Sequence, residues 1–396
     1  MSDAMPIESM RVLWIGTVQS ERRMLRSTAA TPAAKRWSRG FLDGIAANGV
    51  SYCHVGHEPA RVWPFGPLWL RADVHEGTHP TIGVAFVNLP AVRFRSLARG
   101  YGRAVAAAVR SFSPHLVVSY NADPYVASAA RVAVGMGVPW IPIVMDGDDQ
   151  KLDDSWREIE DAVHGSIGVA FLSHWAAVRC PFDDTFHMDG GITFREMADR
   201  SDRDAPVVLY TGTRGPWGGV DLLLDAWRRV RHPTARLWLC GQGRSDRLQA
   251  AVAEDRRITD YGVVSESRLH ELTEQAAVLV NPRPPAYPGN RLNFPSKVLE
   301  YLGTGKPVVT TRTVSLAPEY DDVLLFAADD SAGAFAGEID GVLHWTPAER
   351  ADYRRRVEQF AAVHGDWTVV TGRFLQWASG LMHRKAVPQR STCQSC

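Results

Sequence analysis

Apolar and polar positions along this chain follow two rhythms. Apolar runs of strand length fall at 12–15, 51–55, 82–87, 115–120, 139–145 and 166–172, and again at 206–211, 235–240, 258–264, 277–281 and 306–311. Between many of them, as at 33–48 and 92–112, apolar residues recur every three or four positions, the spacing of an amphipathic helix. Strands alternating with helices predict parallel sheets covered on both faces, because a parallel pair needs a crossover long enough to hold a helix. Such sheets place ligands beyond the carboxyl ends of their strands. Gly16 and Asp146 fall at two of those ends.

The alternation pauses at 193–205, a stretch rich in charge (Arg195, Glu196, Asp199, Arg200, Asp202, Arg203, Asp204) and poor in large apolar residues. It reads as a connector and divides the chain into domains at 1–193 and 194–364. A last helix is predicted at 366–381, with Trp367, Val370, Phe374 and Trp377 on one side. The remainder, 383–396, is basic, lacks apolar periodicity and ends in a Cys-x-x-Cys without partner cysteines, so it is expected to be disordered.

The densest candidate chemistry lies at 290–311. Pro295 suits a first helical position, where its missing N–H removes no hydrogen bond, and Gly303 and Gly305 suit the left-handed conformation that ends a helix. A short helix places Ser296, Lys297 and Glu300 on neighbouring surface. First-turn amides, the helix dipole and the Lys297 charge favour an anion there, and diphosphate fits. A carboxylate just beyond, at Glu300, repels phosphate but accepts hydrogen bonds from a ribose diol. The pair therefore points to a nucleotide lying along the helix. Taken alone, Lys297 and Glu300 also fit a solvated surface ion pair.

Pro295-Ser296-Lys297, Glu300 and the run Gly303-Thr304-Gly305-Lys306-Pro307-Val308-Val309 together resemble the donor-site signature of family 4-type glycosyltransferases of GT-B fold. The likeness extends through most of the second half, including the glycine-rich loop after Gly212, the strand and turn ending at Gly241, and the strand ending at Gly262 and Val263. The first half matches only in architecture. The resemblance implies an α/β fold of two Rossmann-like domains whose parallel sheets face across a cleft. The acceptor domain would be 1–193, the nucleotide-sugar domain 194–364, and 365–382 a helix crossing back to the first domain. By the same resemblance Glu300 holds the ribose hydroxyls and Lys297 the diphosphate. Gly16, Gly212, Thr213, Gly241, Gly262, Val263, Asn293, Phe294 and Ser296 complete the candidate substrate contacts. The sequence departs from the family at three places: Leu292 stands where many members carry Glu, and Thr213 and Gly218 stand where an Arg and a Lys grip the diphosphate. Arg214, beside Thr213, is left to supply that grip with Lys297, its bidentate fork suiting phosphate.

Composition narrows the partners. Forty-four basic and 44 acidic residues cancel, so the total charge does not argue for nucleic acid. Five scattered cysteines favour a reducing compartment over a disulfide framework, and no apolar run reaches transmembrane length. The opening residues lack the basic and apolar regions of a signal peptide, so a cytoplasmic location is expected. In the helix at 92–112, Arg95, Arg99, Arg103 and Arg110 trace one side and Leu97, Tyr101, Ala104, Ala108 and Phe112 another. Two readings stay open: a sheet-covering helix with its arginines in water, or a surface docking on anionic lipid or an anionic acceptor.

The strand at 139–145 runs into Asp146, Asp148 and Asp149. Three carboxylates in a glycine-containing turn suit a hard cation, but they also solvate a loop end. GT-B enzymes generally work without a bound metal, so neither metal nor cofactor is expected. The resembled family often has a His facing the reacting sugar carbon at the place of Asp146, which makes Asp146 the candidate for orienting an acceptor hydroxyl. An N-cap or turn aspartate is the structural alternative.

These readings predict a glycosyltransferase that moves a sugar from a nucleoside-diphosphate sugar to an acceptor hydroxyl, and the family resemblance implies retention of anomeric configuration, which the residues alone do not assign. Asp146, Lys297 and Arg214 are its candidate catalytic residues. The rivals are a GT-B nucleotide-sugar epimerase and a catalytically silent nucleotide-sugar-binding subunit. The sequence assigns no base, sugar, acceptor or oligomeric state.

Overall fold

The computed structural model describes residues 6–16, 32–71, 74–75, 79–146, 152–195, 197–201 and 204–386. Asp148, Asp149, Cys393 and Cys396 lie outside the described residues, as do Glu196, Asp202 and Arg203 of the connector.

The first half contributes strands β1 (Arg11–Ile15), β2 (Ser51–Gly56), β3 (Trp69–Leu70), β4 (Val74–His75), β5 (Thr81–Gly83), β6 (Phe86–Val87), β7 (Leu116–Tyr120), β8 (Trp140–Val144), β9 (Val169–Phe171) and β10 (Thr185–His187). Its helices are α1 (Pro32–Ala47), α2 (Arg93–Phe112), α3 (Pro124–Gly135), α4 (Leu152–Val163) and α5 (His174–Arg179). Eight strands form one sheet in the order β10-β9-β8-β7-β1-β2-β5-β4. Every pairing is parallel except the edge pair β4–β5. In α2, Leu97, Tyr101, Val105 and Ala108 are buried at helical spacing, so the helix covers the sheet and turns its arginines outward.

The second half contributes β11 (Val207–Thr211), β12 (Arg236–Cys240), β13 (Ile258–Gly262), β14 (Ala276–Asn281), β15 (Val308–Thr310) and β16 (Leu325–Phe326). They form an all-parallel sheet in the order β13-β12-β11-β14-β15-β16. Its helices are α6 (Val220–Trp227), α7 (Asp246–Glu254), α8 (Glu266–Gln275), α9 (Lys297–Leu302) and α10 (Ala332–Leu343), followed by α11 (Pro347–Phe360) and α12 (Trp367–Ala386). Every residue of the central strand β14 is buried, as expected of a strand covered on both faces. The protein is therefore an α/β molecule of two parallel sheets, each wrapped by helices.

Three details differ from the sequence reading. The run at 82–87 is not one strand: β5 stays in the large sheet while β6 pairs antiparallel with β3. The chain turns at Val84–Ala85 because α2 packs directly on it; a Cβ at Gly100 would come within 2.6 Å of the Ala85 carbonyl oxygen. The final helix continues past 382 to Ala386, since Arg384 and Lys385 reach the Asp184 carboxylate at 3.1 and 3.0 Å. Gly303 keeps a right-handed helical conformation, and only Gly305, with φ of 69°, is left-handed.

The two sheets share apolar packing. α12 lies on α1, with Trp367 edge-on to Trp37 at 5.5 Å and Phe374 edge-on to Phe41 at 5.6 Å. One contiguous core joins Trp14 and Phe41 of the first half to Leu209 and Val298 of the second. The carboxyl ends of both sheets consequently meet around a common cleft.

Candidate active site

The cleft encloses about 530 Å³. Its second-half wall is built from the ends of β11 and β12 and the start of α9: Gly212, Thr213, Gly241, Phe294, Ser296 and Lys297 all line it. From the first half, Arg36 and Trp37 of α1, Tyr120 at the end of β7 and Asp146 after β8 help to complete the enclosure. Glycine is required at two of these turns. Gly212 and Gly241 hold φ of 151° and 144°, and a Cβ at Gly212 would also lie 3.1 Å from the Tyr210 hydroxyl.

Lys297 projects into this wall with its Nζ 4.4 Å from the centre of the Tyr210 ring. Burial and the neighbouring Arg283 guanidinium lower its pKa to about 7, and Glu300 only partly offsets them. Arg283 is drawn down to about 10 by burial, against the pull of Asp146 and Tyr210, and it stays charged at neutral pH. Its Nη1 donates to the Asn293 carbonyl at 2.7 Å, which fixes the chain that leads into α9. Arg283 was not among the sequence candidates. It follows the carboxyl end of β14, and that position in a parallel sheet was the signal available.

Arg214 takes the opposite place. Its Nη1 donates to the Gly243 carbonyl at 2.9 Å and its Nη2 pairs closely with Asp260, and it does not line the cleft. The cationic lining expected from Arg214 comes from Arg283 instead. The helix dipole contributes less than the sequence reading assumes, because α9 spans only six residues. The positive potential here rests on side-chain charge.

Glu300 lines the cleft and pairs with Arg36 of the first half, Nη2 to Oε1 at 2.6 Å. It is therefore neither a partner of Lys297 at ion-pair distance nor free. Asp146 borders both the cleft and a second cavity of about 600 Å³ between β8, α3 and α4. Burial raises its carboxyl pKa, with Arg283 opposing. Val263 and Val264 form the rim beyond β13, whereas Gly262, with φ of 63°, only turns the chain towards them. Asn293 stands behind the wall, contributing its carbonyl to Arg283. Gly16 closes β1 beside Tyr120, its carbonyl accepting from His54 Nε2 at 2.9 Å, and it lies outside the cleft lining. Among the described residues, no group of three His, Cys, Asp or Glu side chains is placed to hold a metal ion. Nor is any described helix long and apolar enough to cross a membrane.

Residues 205–344, which carry this wall, match the family model described as "Glycosyl transferases group 1". That stretch is a glycosyltransferase group 1 domain. The chain's fold is shared by solved structures at low identity. Sucrose-phosphate synthase from Thermosynechococcus elongatus aligns with a TM-score of 0.66 at 17% identity, covering 95% of this chain and 100% of that one. HepE from Anabaena, solved in complex with UDP, aligns at 0.64 and 13%, covering 94% and 100%. The lipopolysaccharide outer core galactosyltransferase WaaB aligns at 0.60 and 14%, covering 94% and 99%. No curated protein matches the sequence.

The chain's three departures from the family it resembles have structural reasons. Leu292 is buried in an apolar cluster with Phe171 and Ala176 of the first half, so this position serves interdomain packing and not the cleft. The adjacent Arg291 carbonyl accepts a close hydrogen bond from Ser173 Oγ. At Gly218 any Cβ would lie 2.7 Å from the Tyr210 hydroxyl, so the loop is closed too tightly for a lysine. Tyr210 fills that space by donating to the Thr213 carbonyl at 2.6 Å, which holds Thr213 at the cleft wall.

Proposed function

We propose that this glycosyltransferase takes its sugar from a nucleoside-diphosphate donor and passes it to an acceptor hydroxyl with retention of configuration, without a bound metal. The observation that carries the reading is Lys297: an enclosed lysine beside a second buried cation, Arg283, facing a cleft of nucleotide size. Two like charges held together in the cleft wall favour a dianionic ligand, which relieves their repulsion. HepE, on the same fold, is solved with UDP and with UDP-glucose.

In the proposed reaction the bond between the sugar's anomeric carbon and the diphosphate oxygen breaks as the acceptor oxygen bonds to that carbon from the same face. The acceptor proton passes to the departing phosphate oxygen. Lys297 and Arg283 stabilise the charge that grows on that oxygen, and this is the protein's main contribution. Glu300 accepts hydrogen bonds from the ribose diol, and Val263 and Val264 flank the base. Asp146 orients the acceptor hydroxyl, and the second cavity it borders provides the acceptor's space.

A thermal-shift screen of nucleoside diphosphates and their sugars tests the donor class, since a ligand bound only by the native state raises the melting temperature. Stabilisation by at least one nucleoside diphosphate is expected, and none by any member would sink the reading. Donor turnover without acceptor would instead indicate an epimerase.

A further inference from the structure

We propose that the first domain docks on anionic lipid bilayers through residues 59–71 and helix α2. This surface stands independently of the donor-site reading. Phe65 is 83% exposed, Phe94 66% and Trp69 55%, with Trp63 and Leu68 about half exposed beside them. Apolar side chains of this size, clustered within two short segments, form the kind of patch that soluble surfaces avoid unless something covers it.

The cluster is held in place by the fully buried Asn88. Its Nδ2 donates to the carbonyls of Arg61 and Pro67 at 2.7 and 2.8 Å, and its backbone N–H donates to the Leu68 carbonyl at 2.8 Å. Its Oδ1 accepts from Arg93 Nη1 at 2.9 Å, and Arg93 also donates to the Ala60 carbonyl at 3.1 Å. One side chain thus ties the aromatic loop to the first turn of α2. Phe65 and Phe94 are consequently presented on a common, fixed support.

Charge decides the occupant. Residues 58–112 contain Arg61, Arg71 and the five arginines of α2 against three acids, Glu58, Asp73 and Glu76, a net excess of cations in a chain whose total charge is zero, and α2 itself carries no Asp or Glu. Arg95, Arg99, Arg103 and Arg110 are all exposed, and none forms a hydrogen bond or ion pair among the described residues. A shallow groove between α2 and α3, lined by Arg99, Arg103, Arg110 and Ser128, offers room for headgroup phosphates. Apolar tips beside unpaired arginines of a single sign match an interface with acyl chains below and diffuse negative charge above. A protein interface would be expected to intersperse acids with its cations.

The test is flotation of the full chain with vesicles of phosphatidylcholine alone and with about 30% phosphatidylglycerol added. Binding to the anionic vesicles only, weakened by salt, is expected. Phe65→Ser with Phe94→Ser, and separately Arg95→Glu with Arg99→Glu and Arg103→Glu, should each lower the bound fraction about tenfold or more with unchanged melting temperature. Should the charge reversal lower the melting temperature, Arg99→Gln with Arg103→Gln takes its place. No capture by anionic vesicles, equal capture by neutral ones, or capture indifferent to both variant sets would overturn the proposal. So would binding of a single-stranded RNA probe without vesicle capture.

Discussion

Arg36 and Glu300, 264 positions apart, meet across the cleft: Nη2 and Nε of the guanidinium both donate to one carboxylate oxygen, at 2.6 and 3.0 Å. The second oxygen of Glu300 draws no hydrogen bond among the described residues, so the pairing orients the carboxylate while leaving an acceptor for a ribose hydroxyl. Glu300→Gln should therefore weaken nucleoside diphosphates and their sugars alike, by about tenfold, because a charge-assisted acceptor is lost in every bound state. Arg36→Ala should weaken them less, and as a half-exposed pair it should change stability by no more than about 1 kcal/mol. Calorimetric titration of both variants checks this; affinities equal to the parent in both would remove Glu300 from the site.

Lys297, Arg283 and Arg214 should separate in kinetics. Lys297→Ala should lower the turnover number by about 10²-fold or more while affecting donor binding less, because its partner's charge grows towards the transition state. Arg283→Lys keeps a charge but loses the fork, and about a tenfold loss is expected. Arg214→Ala should cost melting temperature by orphaning Asp260, with turnover within about threefold of the parent. Steady-state rates with a donor found by the screen decide the order; Arg214→Ala as the most damaging change in turnover would show that the cleft rearranges in use.

The pH dependence of binding follows from Lys297, whose pKa is lowered to about 7 by burial and the Arg283 charge. Below that value the lysine already carries its proton. Above it, a diphosphate that favours the ammonium must bring a proton with it, so affinity should fall by up to about tenfold per unit between about pH 7 and 9. Titration in buffers of different ionisation enthalpy should show proton uptake there. Lys297→Ala should flatten the profile, and a parent profile that is already flat would mean the lysine is not at the anion.

Sugar transfer should survive EDTA if the acidic turn after Met145 binds no required cation. Loss of activity that Mg²⁺ or Mn²⁺ restores would reassign Asp146 from acceptor positioning to metal binding.

By itself the sequence determined the βα alternation, the two sheets and the helix-to-strand order from Lys297 to Thr310, because strand length, helical period and the left-handed turn at Gly305 are local properties of the backbone; Pro295, expected at the first helical position, instead precedes the Ser296 cap. Helical spacing put Lys297 and Glu300 on neighbouring surface, but it fitted a solvated ion pair equally well; the family resemblance pointed to a ligand site, and the fold lines the cleft with both. Tertiary structure decided which charges meet. Arg214 and Arg283 carry the same group, yet Asp260 and the Gly243 carbonyl claim the first while the second is left in the cleft. Leu292 became an interdomain contact through Phe171 and Ala176, and Glu300 acquired Arg36 as partner, through neighbours more than a hundred residues away. Only the folded chain brings Arg61, Pro67 and Arg93 within reach of Asn88. Periodicity fixes which face a residue occupies; which distant side chain shares that face depends on how the elements pack.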